Sequence, residues 1–223
     1  VVSWEIHPTL PTGLSIDSTT GTISGTPAGT SPISSYTVYA NNTGGSASAV
    51  LTIEILEAPP SSITYVPGSF TLTKGTPLGT VTVTAQGDPV DSWTISPNLP
   101  AGLIFDQATG GLSGTPTAVS PLTTYTVTAT NNGGSGTTTI TIQVNDVAPS
   151  SITYTPNFLE LNKDTLMTPV TPTNLGGDVD TWTISPTLPN GLVFDAATGS
   201  ISGTPTDVTA QATYTVTGTN TGG

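Results

Sequence analysis

The chain has 223 residues, with two Lys or Arg against fourteen Asp or Glu and a net charge of −12 at pH 7. Nucleic-acid binding depends on counterion release from phosphate, and attraction to anionic membranes needs the same cations, so the composition excludes both. Without cysteine there are no disulfides, no thiol catalysis and no thiolate metal sites, and no apolar run is long enough to insert this segment into a bilayer.

Taken in order, the predicted elements repeat. Trp4, Trp93 and Trp182 stand 89 residues apart, as do Gly13, Gly102 and Gly191, Asp17, Asp106 and Asp195, and Tyr36, Tyr125 and Tyr214. A fixed period of this length is a tandem array of one structural unit. Val1 aligns with Val90, so the first copy, 1–57, is expected to be partial and to lack its first strands. The copy at 58–146 is complete, and the copy at 147–223 is expected to lack its last strand.

Within the complete copy the pattern predicts seven strands, near Ser62–Val66, Val81–Ala85, Asp91–Ser96, Leu103–Phe105, Gly111–Ser113, Tyr125–Thr130 and Thr138–Val144. Phe70–Thr73 is read as a companion of the first. Tyr125, Val127 and Ala129 point one way while Thr124, Thr126 and Thr128 point the other. Such alternation describes a sheet with one face on a core and one in water. Helical periodicity is missing. Seven short strands per repeat predict an all-β fold of tandem immunoglobulin-like sandwiches, with Trp93 in the core and Tyr125 as a corner tyrosine. In the third copy Pro169 and Pro172 replace Thr80 and Val83, which predicts a shortened second strand at a sheet edge.

The runs LPTGLSIDSTTGTISGTP, LPAGLIFDQATGGLSGTP and LPNGLVFDAATGSISGTP start at Leu10, Leu99 and Leu188. They resemble the signature of the He_PIG-type Ig domains of prokaryotic surface proteins, which are related to dystroglycan-type cadherin-like domains. The Tyr-x-Val strand and the Asn-Asn-x-Gly-Gly loop that follow extend the likeness. It implies secreted or cell-surface proteins in which such domains are stalks and spacers. In physical terms the motif is a turn: the Asp106 carboxylate accepts backbone N–H bonds and Gly110 supplies positive φ.

Calcium is the cofactor to weigh, because the cadherin likeness implies ions at domain boundaries. The acidic candidates are Asp88, Asp91, Asp178 and Asp180, together with Asn145 and Asp146 at a linker. Solvated acids and turn caps are the competing reading. Asp17, Asp106 and Asp195 read as turn caps, since no base or nucleophile accompanies them at constant spacing. His7 is the only histidine and aligns with Ser96 and Ser185, so neither a triad nor a zinc site depends on it; it reads as a surface imidazole. Lys74 and Lys163 share one position; a crosslink from Lys74 to Asn145 is set against an edge strand kept soluble by lysine. Asn41 opens the chain's single N-glycosylation sequon, Asn41-Asn42-Thr43.

No catalytic constellation converges. The expected function is structural: an extracellular repeat protein that forms a stalk or a filament with copies of itself. The alternative is an adhesin that holds a glycan or receptor in the end loops Asn131–Gly134 and Pro97–Ala101, rigidified by calcium in one version.

Overall fold

Alternation of threonine with apolar residues becomes strand after strand in the computed structural model, which describes Val1–Gly223 and contains no helix. The first repeat holds β1 (Ser3–His7), β2 (Leu14–Ile16), β3 (Ile23–Gly25), β4 (Ser31–Asn42) and β5 (Gly45–Ile55). The second holds β6 (Ser61–Tyr65), β7 (Ser69–Thr73), β8 (Leu78–Val81), β9 (Val83–Gln86), β10 (Ser92–Ser96), β11 (Leu103–Phe105), β12 (Leu112–Gly114), β13 (Ser120–Asn131) and β14 (Gly134–Asn145). The third holds β15 (Thr153–Tyr154), β16 (Pro172–Thr173), β17 (Thr181–Ser185), β18 (Leu192–Phe194), β19 (Ile201–Gly203) and β20 (Thr215–Thr219).

Two layers make the second repeat. One sheet has the order β10-β13-β14-β7, and the facing layer is built from β11-β12-β8 and β6-β9. Between them lie Trp93, Tyr125, Val127, Ala129, Ile140, Ile142 and Val144 from the first sheet and Ile63, Tyr65 and Leu112 from the second. Each fully buried aliphatic side chain here contributes about 1.5–3 kcal/mol of transfer free energy. The cross-strand pairs Trp93–Ala129 and Tyr125–Ile140 fix the register, since a slip of one residue would turn every threonine into the core.

Four details differ from the sequence expectation. Phe70–Thr73 does not extend the first strand; it crosses to the other sheet as β7 and pairs in parallel with β14. The second strand is interrupted at Thr82 into β8 and β9. The hydroxyl that anchors a loop belongs to Tyr65, which donates to Gly110 O, and Tyr154 repeats this with Gly199 O. Tyr125 is core, 3% exposed. In the third repeat the prolines do shorten the second strand, but not at an edge: Val170 bridges Ile201 on one side and Pro172 pairs with Tyr154 on the other.

The signature run folds as a turn under the tryptophan. Asp106 Oδ1 accepts from Ala108 N at 2.8 Å and from Thr109 N at 3.3 Å, while Gly110 N donates to Asp106 O at 2.7 Å. Gly110 has φ +71°, and a Cβ there would strike Trp93 and Val83. Glycine therefore serves both the turn and the seat of the indole ring.

In the first repeat β1-β4-β5 form one sheet and β2-β3 a hairpin. Leu51 is 38% exposed where its equivalent Ile140 is 1% exposed. The third repeat has a cleft of about 1230 Å³ with mixed polar and apolar walls, lined by Tyr154, Leu161, Val170, Tyr214 and Val216 among others. The equivalent positions of the second repeat close on Ile140, Ile142 and Val144.

Candidate functional site: the joints between repeats

Side-chain hydrogen bonds hold the chain where one repeat meets the next. At the first joint only Leu56 separates the end of β5 from Glu57, whose N–H donates to Asn132 Oδ1 at 2.9 Å. Ala58 N–H donates to Asp88 Oδ2 at 2.7 Å. Asn131 Nδ2 donates to Ala58 O at 2.9 Å and to Pro89 O at 3.4 Å, and its Oδ1 accepts from Gly133 N at 3.0 Å. Asn131 is 5% exposed, and its satisfied amide is what makes that burial tolerable.

The second joint repeats the arrangement 89 residues on. Asp146 directly follows β14, and its N–H donates to Thr221 Oγ1 at 2.8 Å. Asn220 Nδ2 donates to Val147 O at 2.7 Å and Asp178 O at 2.8 Å, and its Oδ1 accepts from Gly222 N at 2.8 Å. Val147 N–H, the counterpart of Ala58, donates to Asp146 Oδ1 at 2.9 Å, and Ser150 N–H donates to Asn174 Oδ1 at 2.9 Å. Lys74 Nζ lies 3.6 Å from Asp146 Oδ1, so the end of repeat two is tied to its own body as well as to repeat three.

The linker lies against glycine. A Cβ on Gly133 would overlap Glu57 O, one on Gly136 would overlap Pro60 O, and one on Gly222 would overlap Asp146 O. The hairpin between β13 and β14, and the turn after β20, are thus clasps whose amides hold the strap and whose glycines let it approach. Glu57 Oε2 is the exception in chemistry, out of water with no hydrogen-bond partner.

The residues weighed as calcium ligands are dispersed among these roles. Asp88 caps Ala58, Asp146 faces Lys74, and Asn145 Oδ1 accepts from Gln143 Nε2 at 2.9 Å. Asp91 and Asp180 donate their backbone N–H groups to Thr130 O and Thr219 O, and Asp178 offers its carbonyl to Asn220. Nowhere do three His, Cys, Asp or Glu side chains converge. Asn41 is half-buried on β4, paired through its backbone with Ser3 and Ser46. The loop Asn131–Gly134, weighed as a ligand loop, faces the linker. Sequence reading missed Asn131 and Asn220 as clasp residues; the recurrence of Asn42, Asn131 and Asn220, each two residues before a glycine, was the available signal.

The two-layer fold and its strapped succession define a tandem immunoglobulin-like repeat protein. Residues 2–56, 60–145 and 149–223 each match the He_PIG family, "Putative Ig domain", and the chain belongs to that family. It is 32% identical over 150 residues to the "Serine-rich adhesin for platelets" of Staphylococcus aureus strain MRSA252, covering 65% of this chain and 10% of that protein. The form in strain USA300 is 33% identical over 135 residues, covering 58% and 5%. The chain therefore spans a tenth or less of these relatives. Among solved structures, it is similar to a variant of titin domains I67–I69 at 14% identity and TM-score 0.44, over 98% of this chain and 82% of that one. Human CDH23 EC21–23 gives 16% identity and TM-score 0.38, over 92% and 79%.

Proposed function

We propose that the chain is a stretch of non-enzymatic stalk in a surface-displayed adhesive protein, and that its repeats work as stiff spacers. The observation that carries this reading is the clasp, built at both joints from equivalent residues. At most one residue is free between the last strand of a repeat and the next repeat's hydrogen bonds. A linker this short, pinned by amides and containing proline, has little freedom to bend. The likeness to staphylococcal adhesins supports extracellular display, and in this reading contact with platelets or other partners belongs to other parts of such proteins.

The joints hold in this reading through hydrogen bonds, two of them accepted by the Asp88 and Asp146 carboxylates, and one ion pair, without calcium. The test is small-angle scattering and negative-stain electron microscopy of the chain with and without EDTA, beside Asn132→Ala/Thr221→Ala. The expected result is an extended particle indifferent to EDTA, with a shorter and broader distance distribution for the variant. A wild-type chain as flexible as the variant would overturn the spacer role. Collapse in EDTA would return the joints to calcium.

A further inference from the structure

The outer face of the β1-β4-β5 sheet breaks the rule that the other repeats keep. In the second repeat that face is hydroxyl upon hydroxyl: Thr94 beside Thr128 beside Thr137, and Ser96 beside Thr126 beside Thr139. The third repeat continues it with Thr183 beside Thr217 and Ser185 beside Thr215. In the first repeat the equivalent rows read Glu5, Tyr39, Ser48 and His7, Thr37, Val50. Glu5, Tyr39, His7 and Val50 depart from the hydroxyl pattern within two adjacent rows, and Asn41 departs in the row beside them.

They also touch. The His7 and Tyr39 rings meet edge to face at 6.0 Å between centroids, and His7 Nε2 is 3.9 Å from Glu5 Oε2. The Glu5 and His7 side chains are 57% and 68% exposed, and Val50 is 71% exposed beside them. A tyrosine ring, a carboxylate across the strand from it and an apolar side chain form a small built surface. Nothing in the packing of the repeat requires it, because threonine and serine fill the same places elsewhere.

We infer that this face binds a cationic segment of a partner protein, with an arginine laid on Tyr39 and its guanidinium donating to Glu5. Arginine is the best fit because its plane stacks on an aromatic face while its N–H groups reach a carboxylate. Charge complementarity favours this occupant over a sugar. The first repeat has no Lys or Arg, Glu54 lies further along β5 on the same face, and the chain carries −12 in all. That field draws cationic partners in and repels acidic ones. The surface lies on the opposite side of the sheet from Trp4 and Tyr36, and it is distinct from the joints on which the stalk reading rests.

The test is a titration of the ¹⁵N-labelled chain with the peptide acetyl-Gly-Arg-Gly-Arg-Gly-amide at low ionic strength, read by amide chemical shifts. Expected are shifts concentrated in Ser3–His7 and Thr37–Asn41 that weaken as NaCl is raised. Glu5→Thr/His7→Ser/Tyr39→Thr gives the first repeat the face of the second, so folding is preserved; it is expected to bind at least about fivefold more weakly. Asp164→Asn, which removes one exposed charge elsewhere, is expected to bind within about twofold of wild type, and Tyr39→Phe to retain binding. Equal affinity in the triple variant, or shifts scattered over distant acids, would overturn the proposal. So would a neutral glucan oligosaccharide moving the same amides more strongly than the peptide, which would make the face a sugar platform.

Discussion

Asn131 carries more of the architecture than any charged residue. Its amide satisfies Ala58 O, Pro89 O and Gly133 N together while almost wholly out of water. Asn131→Ala removes these bonds and strands two carbonyls, so a loss of about 2–3 kcal/mol is expected, read from denaturant unfolding of the second repeat. The aspartates of the signature turn act differently. The Asp106 carboxyl is held below its ordinary value of 3.8 by the Thr109 side chain and by backbone N–H groups, Asp17 by the backbone N–H groups of Thr19 and Thr20, and Asp195 first by that of Ala197. A carboxyl whose folded pKa is depressed lends stability that is complete above its unfolded value and is lost as pH falls through the folded one. Between pH 5 and 8 the turns should be indifferent to pH, and below about 4 they should weaken. Replacing Asp17, Asp106 and Asp195 together by Asn, which keeps the acceptor oxygen, is expected to flatten the acid limb of a melting-temperature profile. Burial pushes the Tyr65 phenol up to about 12, so its bond to Gly110 O persists through the same range.

At the scale of elements, much was legible because threonine alternation reports burial directly. Trp93, Val127, Ile140, Ile142 and Val144 are buried as their period-two spacing demands. What alternation does not encode is the partner. Phe70 and Leu72 alternate as well in β7 as they would in an extension of β6, and only the open edge of β14 decides that they pair there in parallel. The clasp was hidden for a related reason: Asn-Asn-Gly-Gly reads as a hairpin turn, and its second use depends on a linker far away in sequence. The prolines of repeat three misled about position, since a strand can take proline in the sheet interior where Val170 supplies the ladder bonds with Ile201. Pro169→Thr/Pro172→Val restores the residues of repeat two. It is expected to lengthen β16 and to add up to about 1 kcal/mol of ladder stability, seen as slower hydrogen exchange around Tyr154 and Thr173.

On the scale of the whole molecule, stiffness and self-association should respond to salt in opposite ways. The joints depend on short hydrogen bonds to amide, hydroxyl and carboxylate oxygens, and their one ion pair, Lys74–Asp146, is partly exposed and worth at most about 1 kcal/mol. Raising NaCl from 0.05 to 1 M should therefore leave the extended length in scattering nearly unchanged. Lateral packing is governed by net charge. Two copies at −12 each repel over a Debye length of about 10 Å at 0.1 M salt, which shrinks to about 3 Å at 1 M. The exposed faces of repeats two and three are dense with Ser and Thr and offer hydrogen bonds without charge. Assembly into a filament or bundle should thus grow with salt, as sedimentation velocity across that range would record. A chain that stayed monomeric at 1 M would leave the repeats as spacers only. One that assembled best at low salt would require an attraction between charges that a surface with two cations and fourteen acids does not provide.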